Sequence, residues 1–256
     1  MPGGALIAVV TGASSGIGAE IARLLTARGW HCVLLARRED RLRALADEIG
    51  GEYELCDVTD RNAVEQVATR VLARHPSVHL LVNNAGIPGR SNFLDGDPER
   101  IENVMRTNYL GGVWCLRAFL PGLEAAAPSD VVNIVSVSGV VAFPPSGPYS
   151  ASKHAQLAFS RATAPLLRRR GICVHTVKPG FVETEGFPQN RLPRPVQRLV
   201  VGPEKIAEHV VDSVERGRGE TTVPRYYTVA GVLQTLLPNV LARVLARSGD
   251  PTRIPR

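Results

Sequence analysis

Six short runs of β-branched and aliphatic residues punctuate the chain, at 6–11 (LIAVVT), 31–36 (HCVLLA), 52–56 (EYELC), 79–83 (HLLVN), 131–137 (VVNIVSV) and 172–177 (ICVHTV). Between them, near 16–29, 38–49, 60–74, 98–126 and 148–170, apolar residues recur with helical spacing. Strands that are apolar on both faces, alternating with amphipathic helices, predict an α/β fold: a doubly wound parallel sheet with helices on both faces. A helix at 203–216 and a short strand at 221–223 extend the pattern. No linker rich in Pro, Gly or Ser divides the chain, so residues 1–256 are expected to form one domain.

Two segments break the alternation. Residues 183–202 (ETEGFPQNRLPRPVQRLVVG) hold three prolines and no clear period, which predicts a long irregular loop of the kind that covers a substrate site. In the tail, at 226–247, apolar pairs at 232/233, 236/237, 240/241 and 244/245 leave Arg243 and Arg247 elsewhere on the wheel. That is an amphipathic helix interrupted by Pro238, suited to packing on its own subunit or a partner. Its basic face also suits peripheral contact with anionic lipid.

The composition, 44% hydrophobic and 21% charged, is that of a soluble globular protein. A formal charge of +6 suits an anionic partner such as a phosphorylated cofactor. Nucleic acid is not expected, because the arginines are scattered and no aromatic platform is interleaved with them. Cys32, Cys56, Cys115 and Cys173 are far apart and sit mostly in apolar runs, which reads as buried reduced thiols with no metal spacing. With no signal-peptide pattern and no apolar run of membrane-spanning length, a cytoplasmic location is expected, with membrane association only through the tail.

The candidate chemistry begins at TGASSGIG (11–18), between the first strand and the first helix. Glycines at such a junction let the backbone turn sharply and approach a pyrophosphate at the helix N-terminus. The spacing is G-x-x-x-G-x-G, not the standard dinucleotide fingerprint. Gly12 to Gly16 also satisfies G-x-S-x-G, a hydrolase nucleophile turn, but that turn normally follows several strands. The second strand ends at Ala36, Arg37 and Arg38, where an acidic residue would bind the ribose hydroxyl of NAD. Guanidinium groups there pair a 2′-phosphate instead, so NADP(H) is expected over NAD(H).

TGASSGIG, Asp57 after the third strand, NNAG (83–86), Asn108, Ser136, Tyr149-x-x-x-Lys153 and PGFVET (179–184) stand in an order and spacing that resemble the short-chain dehydrogenase/reductase family. The resemblance covers about residues 5–224 and implies a Rossmann-type sheet of seven strands. It also implies hydride transfer between a nicotinamide and an alcohol or carbonyl. By position, Tyr149 is the implied acid/base, Lys153 its activator, Ser136 the carbonyl-orienting hydroxyl, and Asn108 the support for a proton-relay water. Gly12, Ser14, Ser15, Gly16, Ile17 and Gly18 would surround the pyrophosphate and ribose. Asp57 and Val58 would edge the adenine, Asn84 the adenosine ribose, and Val182 and Thr184 the nicotinamide amide. A homodimer or homotetramer is implied. A non-catalytic NADP(H) sensor of the same fold is the alternative, and it would have no need of an acid/base group.

The chemistry has reason to want these residues. A phenol with a pKa near 10 is a poor base at neutral pH, and a fixed ammonium beside it lowers that value. At i and i+4, Tyr149 and Lys153 share one helix face. Lys153 is one of three lysines in a chain otherwise rich in arginine, and its compact charge can reach a cofactor ribose while acting on the phenol. Ser138, Phe143, Phe181 and Phe187, with Val140, Phe93 and Leu94, would line a site for a lipophilic ketone or secondary alcohol. Two departures stand out. His79 replaces an acidic residue common in relatives, and Pro165 falls within the 148–170 helix, where it should remove one backbone bond.

Overall fold

Residue alternation along each strand sorts the core into two layers. Ala8 and Val10, Cys32 and Leu34, Leu80 and Val82, and Val132 and Ile134 face one way. Val9, Val33, Leu81 and Val131 face the other. In the computed structural model, which describes residues 5–89, 91–185 and 197–247, these strands form a seven-stranded sheet ordered β3-β2-β1-β4-β5-β6-β7. They are β1 (Leu6–Thr11), β2 (Trp30–Ala36), β3 (Glu52–Leu55), β4 (Leu80–Asn83), β5 (Ser129–Ile134), β6 (Ile172–Pro179) and β7 (Glu220–Val223). Every adjacent pair is parallel.

The first layer is covered by α1 (Gly16–Ala27), α2 (Glu39–Ile49) and α7 (Pro203–Glu215), through Ile21, Leu25, Leu42, Ile206 and Val210. The second is covered by α3 (Arg61–Arg74) and α5 (Gly111–Ala125), through Val64, Val67, Phe119 and Leu123. The doubly wound expectation therefore holds. The helix expected at 98–126 is three pieces: α4 (Pro98–Met105), a π-helical turn (Arg106–Leu110) and α5. By contrast α6 (Gly147–Arg168) runs on through Pro165 as one helix. β5 ends at Ile134, short of the expected 137, because the chain turns there: Ser136 Oγ accepts from the Ser138 N–H at 3.1 Å.

Several side chains take duties that local pattern does not encode. His79 Nδ1 accepts from the Ile7 N–H at 3.1 Å, which makes it a fastener at the start of β1. The dispersed His31, Glu52 and His75 meet where β2 and β3 begin, with both imidazole Nε2 atoms on Glu52 Oε1 at 3.0 and 2.8 Å. Arg74 Nε donates to the other oxygen of Glu52 at 3.0 Å. Cys32, Cys56 and Cys115 are buried, but Cys173 is exposed, which corrects the expectation for that thiol. Residue Cys173 alternates outward from the buried Ile172 at the start of β6.

The tail is two helices, α8 (Thr228–Leu236) and α9 (Pro238–Arg247), divided at Pro238 as expected. Val229, Val232, Leu236 and Val240 are exposed, while Gly231 sits so close to Val140 that a Cβ would lie 3.1 Å from its Cγ2. No helix among the described residues is long and apolar enough to cross a membrane.

β7, the edge strand that leads into this tail, is held by Glu220. Its carboxylate accepts two bonds from Arg161 on α6, both 2.8 Å, and one from Lys178 on β6 at 2.5 Å. Arg161, and then Lys178, hold the carboxyl down to about 2, against the opposing effect of burial. A depressed carboxyl contributes stability that is present above its ordinary value and lost as pH falls through the folded one. Arg161 is 57% exposed, so solvent screens its contribution and the effect on stability is small. Glu220→Gln is expected to lower unfolding free energy by about 1 kcal/mol at pH 7. Chemical denaturation of both proteins should converge as pH falls from 4.5 towards 2.

Candidate active site

The chain order reverses between β1 and β4, the two strands at the centre of the sheet, and their carboxyl ends diverge to leave a crevice. Thr11 is 1% exposed at this point. Its hydroxyl donates to Val82 O at 3.1 Å and accepts from the N–H groups of Asn84 and Ala85, both at 3.0 Å. Asn84 Nδ2 returns to Thr11 O at 2.9 Å and to Gly12 O at 3.3 Å. The Asn84 amide donors thus hold the glycine turn itself.

Two glycines are required by that closeness. Gly12 has φ +66°, and a Cβ there would lie 2.8 Å from Ala85 Cα. At Gly18 a Cβ would lie 2.4 Å from Asn84 Nδ2 and 2.6 Å from Gly12 O. Ser15, the residue capping α1, makes no side-chain cap, and the first turn carries no acid, so the helix end presents amide N–H groups to an anion.

Both second-strand arginines are present, but they diverge. Arg37 pairs with Asp57 at 3.5 Å. Arg38 turns back to the glycine loop, where Nε and Nη2 donate to Ser14 Oγ at 3.0 and 2.9 Å and Nη2 donates to Ser15 Oγ at 2.5 Å. Arg41, on the first turn of α2, lines the same cavity as Ser14, Ser15 and Gly16; the sequence does not single it out, because a helix-face arginine has no distinguishing local signal. Ser14 Oγ accepts from a guanidinium, the opposite of the base that would activate a nucleophile, which weighs against the hydrolase reading.

Asp57 Oδ1 caps the turn before α3 by accepting from Thr59 N and Oγ1 at 3.0 and 2.8 Å. Val58 is buried against Gly111, where a Cβ would lie 2.7 Å from its Cγ2. Ile17, on α1, packs against the first core layer.

Ser136, Tyr149 and Lys153 meet beyond the end of β5. Burial pushes the Tyr149 phenol above its ordinary pKa, and a hydrogen bond with Ser136 opposes this. Lys153 Nζ lies 5.8 Å from the Tyr149 ring centre. The lysine is 4% exposed, and burial lowers its pKa to about 7. Two of its donors go to Ile134 O at 2.9 Å and Gln156 Oε1 at 2.8 Å. Gln156, one turn further along α6 and 3% exposed, was not singled out in the sequence; a polar residue on the buried face of that helix was the available signal.

Asn108 is 1% exposed, not on a solvated helix face. It lies in the π-helical turn, a feature that often marks functional positions because it widens the backbone spiral. Its side chain accepts from Ile87 N at 2.8 Å and donates to Ile87 O and Ser152 Oγ, both at 3.1 Å. Gly86 stands between it and the lysine; a Cβ there would be 3.3 Å from Asn108 Oδ1 and 3.8 Å from Lys153 Nζ.

Among the residues expected to line a substrate, Ser138 follows Ser136 in a short 3₁₀ turn, and the Phe143 N–H donates to Ser150 Oγ at 3.2 Å. Phe181 packs edge-on against Tyr227 with ring centres 5.9 Å apart. Tyr227 in turn covers Gly180, where any Cβ would overlap its ring. Phe93 rests on Gly147, whereas Leu94 is 92% exposed. Val182 pairs with Val201, closing the neck of the 183–202 segment, and Thr184 rests on Gly16. Phe187 lies outside the described residues.

The sequence profile described as short chain dehydrogenase matches residues 6–194. The chain belongs to the short-chain dehydrogenase/reductase family, a family of oxidoreductases. It is 35% identical over 189 residues to dehydrogenase/reductase SDR family member 7B of Danio rerio, covering 70% of this chain and 61% of that protein. A putative ketoacyl reductase of Streptomyces coelicolor is 37% identical over 185 residues, covering 70% of this chain and 71% of the relative. The solved structure of a Burkholderia cenocepacia short chain dehydrogenase in complex with NADP superposes with a TM-score of 0.82 at 26% identity, covering 94% of this chain and 97% of that one.

Thr11→Val keeps shape and removes three hydrogen bonds at the point where the crevice opens. The variant is expected to lose about 2 kcal/mol of stability and most of its affinity for a nicotinamide dinucleotide. Denaturant unfolding and cofactor fluorescence titration measure the two; unchanged affinity would count against the crevice as the binding site.

Proposed function

We propose that the chain is an NADP(H)-dependent carbonyl reductase or alcohol dehydrogenase acting on a lipophilic ketone or secondary alcohol. The observation that carries the reading is the meeting of Ser136, Tyr149 and a buried Lys153 at the carboxyl end of the sheet, beside a glycine turn flanked by Arg38 and Arg41. The glycine loop, the open end of α1 and this arginine pair fit a dinucleotide with a 2′-phosphate. Bound there, NADP(H) would supply or accept the hydride.

The protein's own residues do the rest. In carbonyl reduction the Tyr149 hydroxyl donates its proton to the carbonyl oxygen as charge develops there, and the Ser136 hydroxyl donates a hydrogen bond to the same oxygen. In the opposite direction the phenolate accepts the alcohol proton. Lys153 has three donors, and the two bonds it makes leave one for a ribose hydroxyl or a water. Its ammonium favours the phenolate, while Gln156 and Ile134 O favour the ammonium against burial. Asn108 fixes Ile87 and Ser152, and its Oδ1 and Lys153 Nζ both lie beside Gly86, which supports a part for Asn108 in holding a relay water.

Val140, Phe143, Phe181 and Tyr227 make the substrate side apolar, which suits a lipophilic group next to the reacting carbon. The ketoacyl reductase named among the relatives supports a carbonyl on an extended chain. The homo-oligomer expected from the family is part of the proposal, as is lipid contact through the exposed apolar residues of α8 and α9. A cofactor sensor without turnover is the weaker reading, since it gives no work to a serine placed against a desolvated tyrosine.

Initial rates with NADPH and NADH over a panel of aliphatic, cyclic and aromatic ketones test the assignment. NADPH should be preferred by at least about tenfold in kcat/KM, as expected when a bidentate phosphate partner is lost. Tyr149→Phe should lose about 10²-fold or more in kcat while retaining NADPH binding. Turnover by that variant, or equal use of the two cofactors, would defeat the assignment.

The lysine's environment generates a separate expectation. Gln156→Leu removes an acceptor that favours the ammonium, so the Lys153 pKa should fall below about 7. The basic limb of the pH profile for alcohol oxidation, where the lysine gives up the proton that supports the phenolate, should then move to lower pH, and Gln156→Glu should move it upward. Profiles that superpose for all three proteins would show that Gln156 only fills space.

A further inference from the structure

The arginine pair beside the glycine turn already holds an anion. Arg41 grips the Glu185 carboxylate with two bonds, Nη1 to Oε2 at 2.7 Å and Nη2 to Oε1 at 2.9 Å, and Arg38 Nη1 adds a third to Oε2 at 2.8 Å. These partners are 144 and 147 residues distant in sequence, so only the fold brings them together. Arg38 simultaneously donates to Ser14 and Ser15 on the glycine turn. The fork-on-carboxylate arrangement is the one guanidinium groups use for a phosphate monoester.

We infer that Glu185 is an internal stand-in for the cofactor's 2′-phosphate, one that NADP(H) must displace and NAD(H) need not. The inference rests on the NADP(H) reading above and adds to it a residue that sets how strongly the phosphate is felt. Electrostatics support the exchange. The three side chains are about half exposed, 44% for Arg38, 49% for Arg41 and 55% for Glu185, so each ion pair is screened and individually weak. A phosphate brings close to two negative charges and three acceptor oxygens against the carboxylate's one charge and two oxygens.

Displacement has a structural consequence because of where Glu185 sits. Thr184 beside it rests on Gly16 at the start of α1, and two residues further back Val182 is bridged to Val201. The segment 183–185 is therefore anchored at one end by the bridge and at the other by the carboxylate. Releasing the carboxylate frees it from the nucleotide side of the crevice. Occupation of the phosphate position is in this way coupled to the segment that borders the substrate side.

Dissociation constants of the whole protein for NADPH and NADH, measured by nicotinamide fluorescence, test the inference. Glu185→Gln and Glu185→Ala should each tighten NADPH by about three- to tenfold, the scale of one or two screened ion pairs, with NADH within twofold of wild type. Hydrogen exchange at 183–185 should rise on adding NADPH and stay unchanged with NADH. A wild type selective for NADPH whose two Glu185 variants shift neither cofactor, or both alike, overturns this inference and leaves the NADP(H) reading intact. Equal binding of the two cofactors by the wild type overturns both.

Discussion

The crevice depends on the hydroxyl of Thr11. β1 and β4 are neighbours, yet the chain leaves them towards opposite sides of the sheet, and such a divergence would ordinarily leave strand-end N–H groups without partners. One side chain resolves this by donating to Val82 O and accepting from the next two N–H groups, Asn84 and Ala85. Asn84 then ties back to the carbonyls of Thr11 and Gly12, which draws the glycine turn against the β4 end so closely that Gly12 and Gly18 cannot carry a Cβ. The open start of α1 is aimed by that contact. Arg38, which donates to Ser14 and Ser15 of the glycine turn, is placed relative to it.

Sequence periodicity captured the layers well and the site partly, for reasons visible in individual residues. Strands apolar on both faces, such as ALIAVVT and VVNIV, have no surface but an interior, and the parallel sheet follows. The Tyr149–Lys153 spacing is a local helical property, legible without tertiary structure. Arg38, not Arg37, turns to the glycine loop because β2 ends at Ala36 and the following residues start α2, a boundary that periodicity places only to within a residue or two. Arg41 and Glu185 are ordinary surface charges until the fold joins them. The π-helical turn around Asn108 was hidden inside what reads as one long helix, since one extra residue in a turn does not erase the apolar pattern.

A chain of buried polar groups runs beneath the site and accounts for how a lysine can lie there. Asn83 Nδ2 donates to Asn133 Oδ1 at 3.0 Å, Asn133 to Ser160 at 2.9 Å, and Ser160 and Thr176 share a 2.6 Å bond. These link β4, β5, α6 and β6 with uncharged partners, so α6 is located by direction-specific bonds as well as by apolar contact. One oxygen, Asn83 Oδ1, has no partner among the described residues, so the network is not fully satisfied within them. α6 carries Tyr149, Lys153, Gln156 and Ser160 on successive turns, and its register against the sheet decides whether the first two reach the crevice.

The electrostatics of that helix explain why the protein alone is poised for chemistry but not committed to it. Burial raises the tyrosine pKa and lowers the lysine pKa to about 7, so at neutral pH both groups are driven towards their uncharged forms. A neutral phenol is the form that carbonyl reduction requires, since it must give up a proton. Alcohol oxidation requires the phenolate, and a half-protonated lysine supports it weakly. The neutral acceptors Gln156 and Ile134 O hold the ammonium without the pull a carboxylate would exert, so its charge remains available to a neighbour. A carboxylate at 156 would raise the lysine pKa but also neutralise the field that the phenolate needs, which gives a physical reason for an amide at that turn.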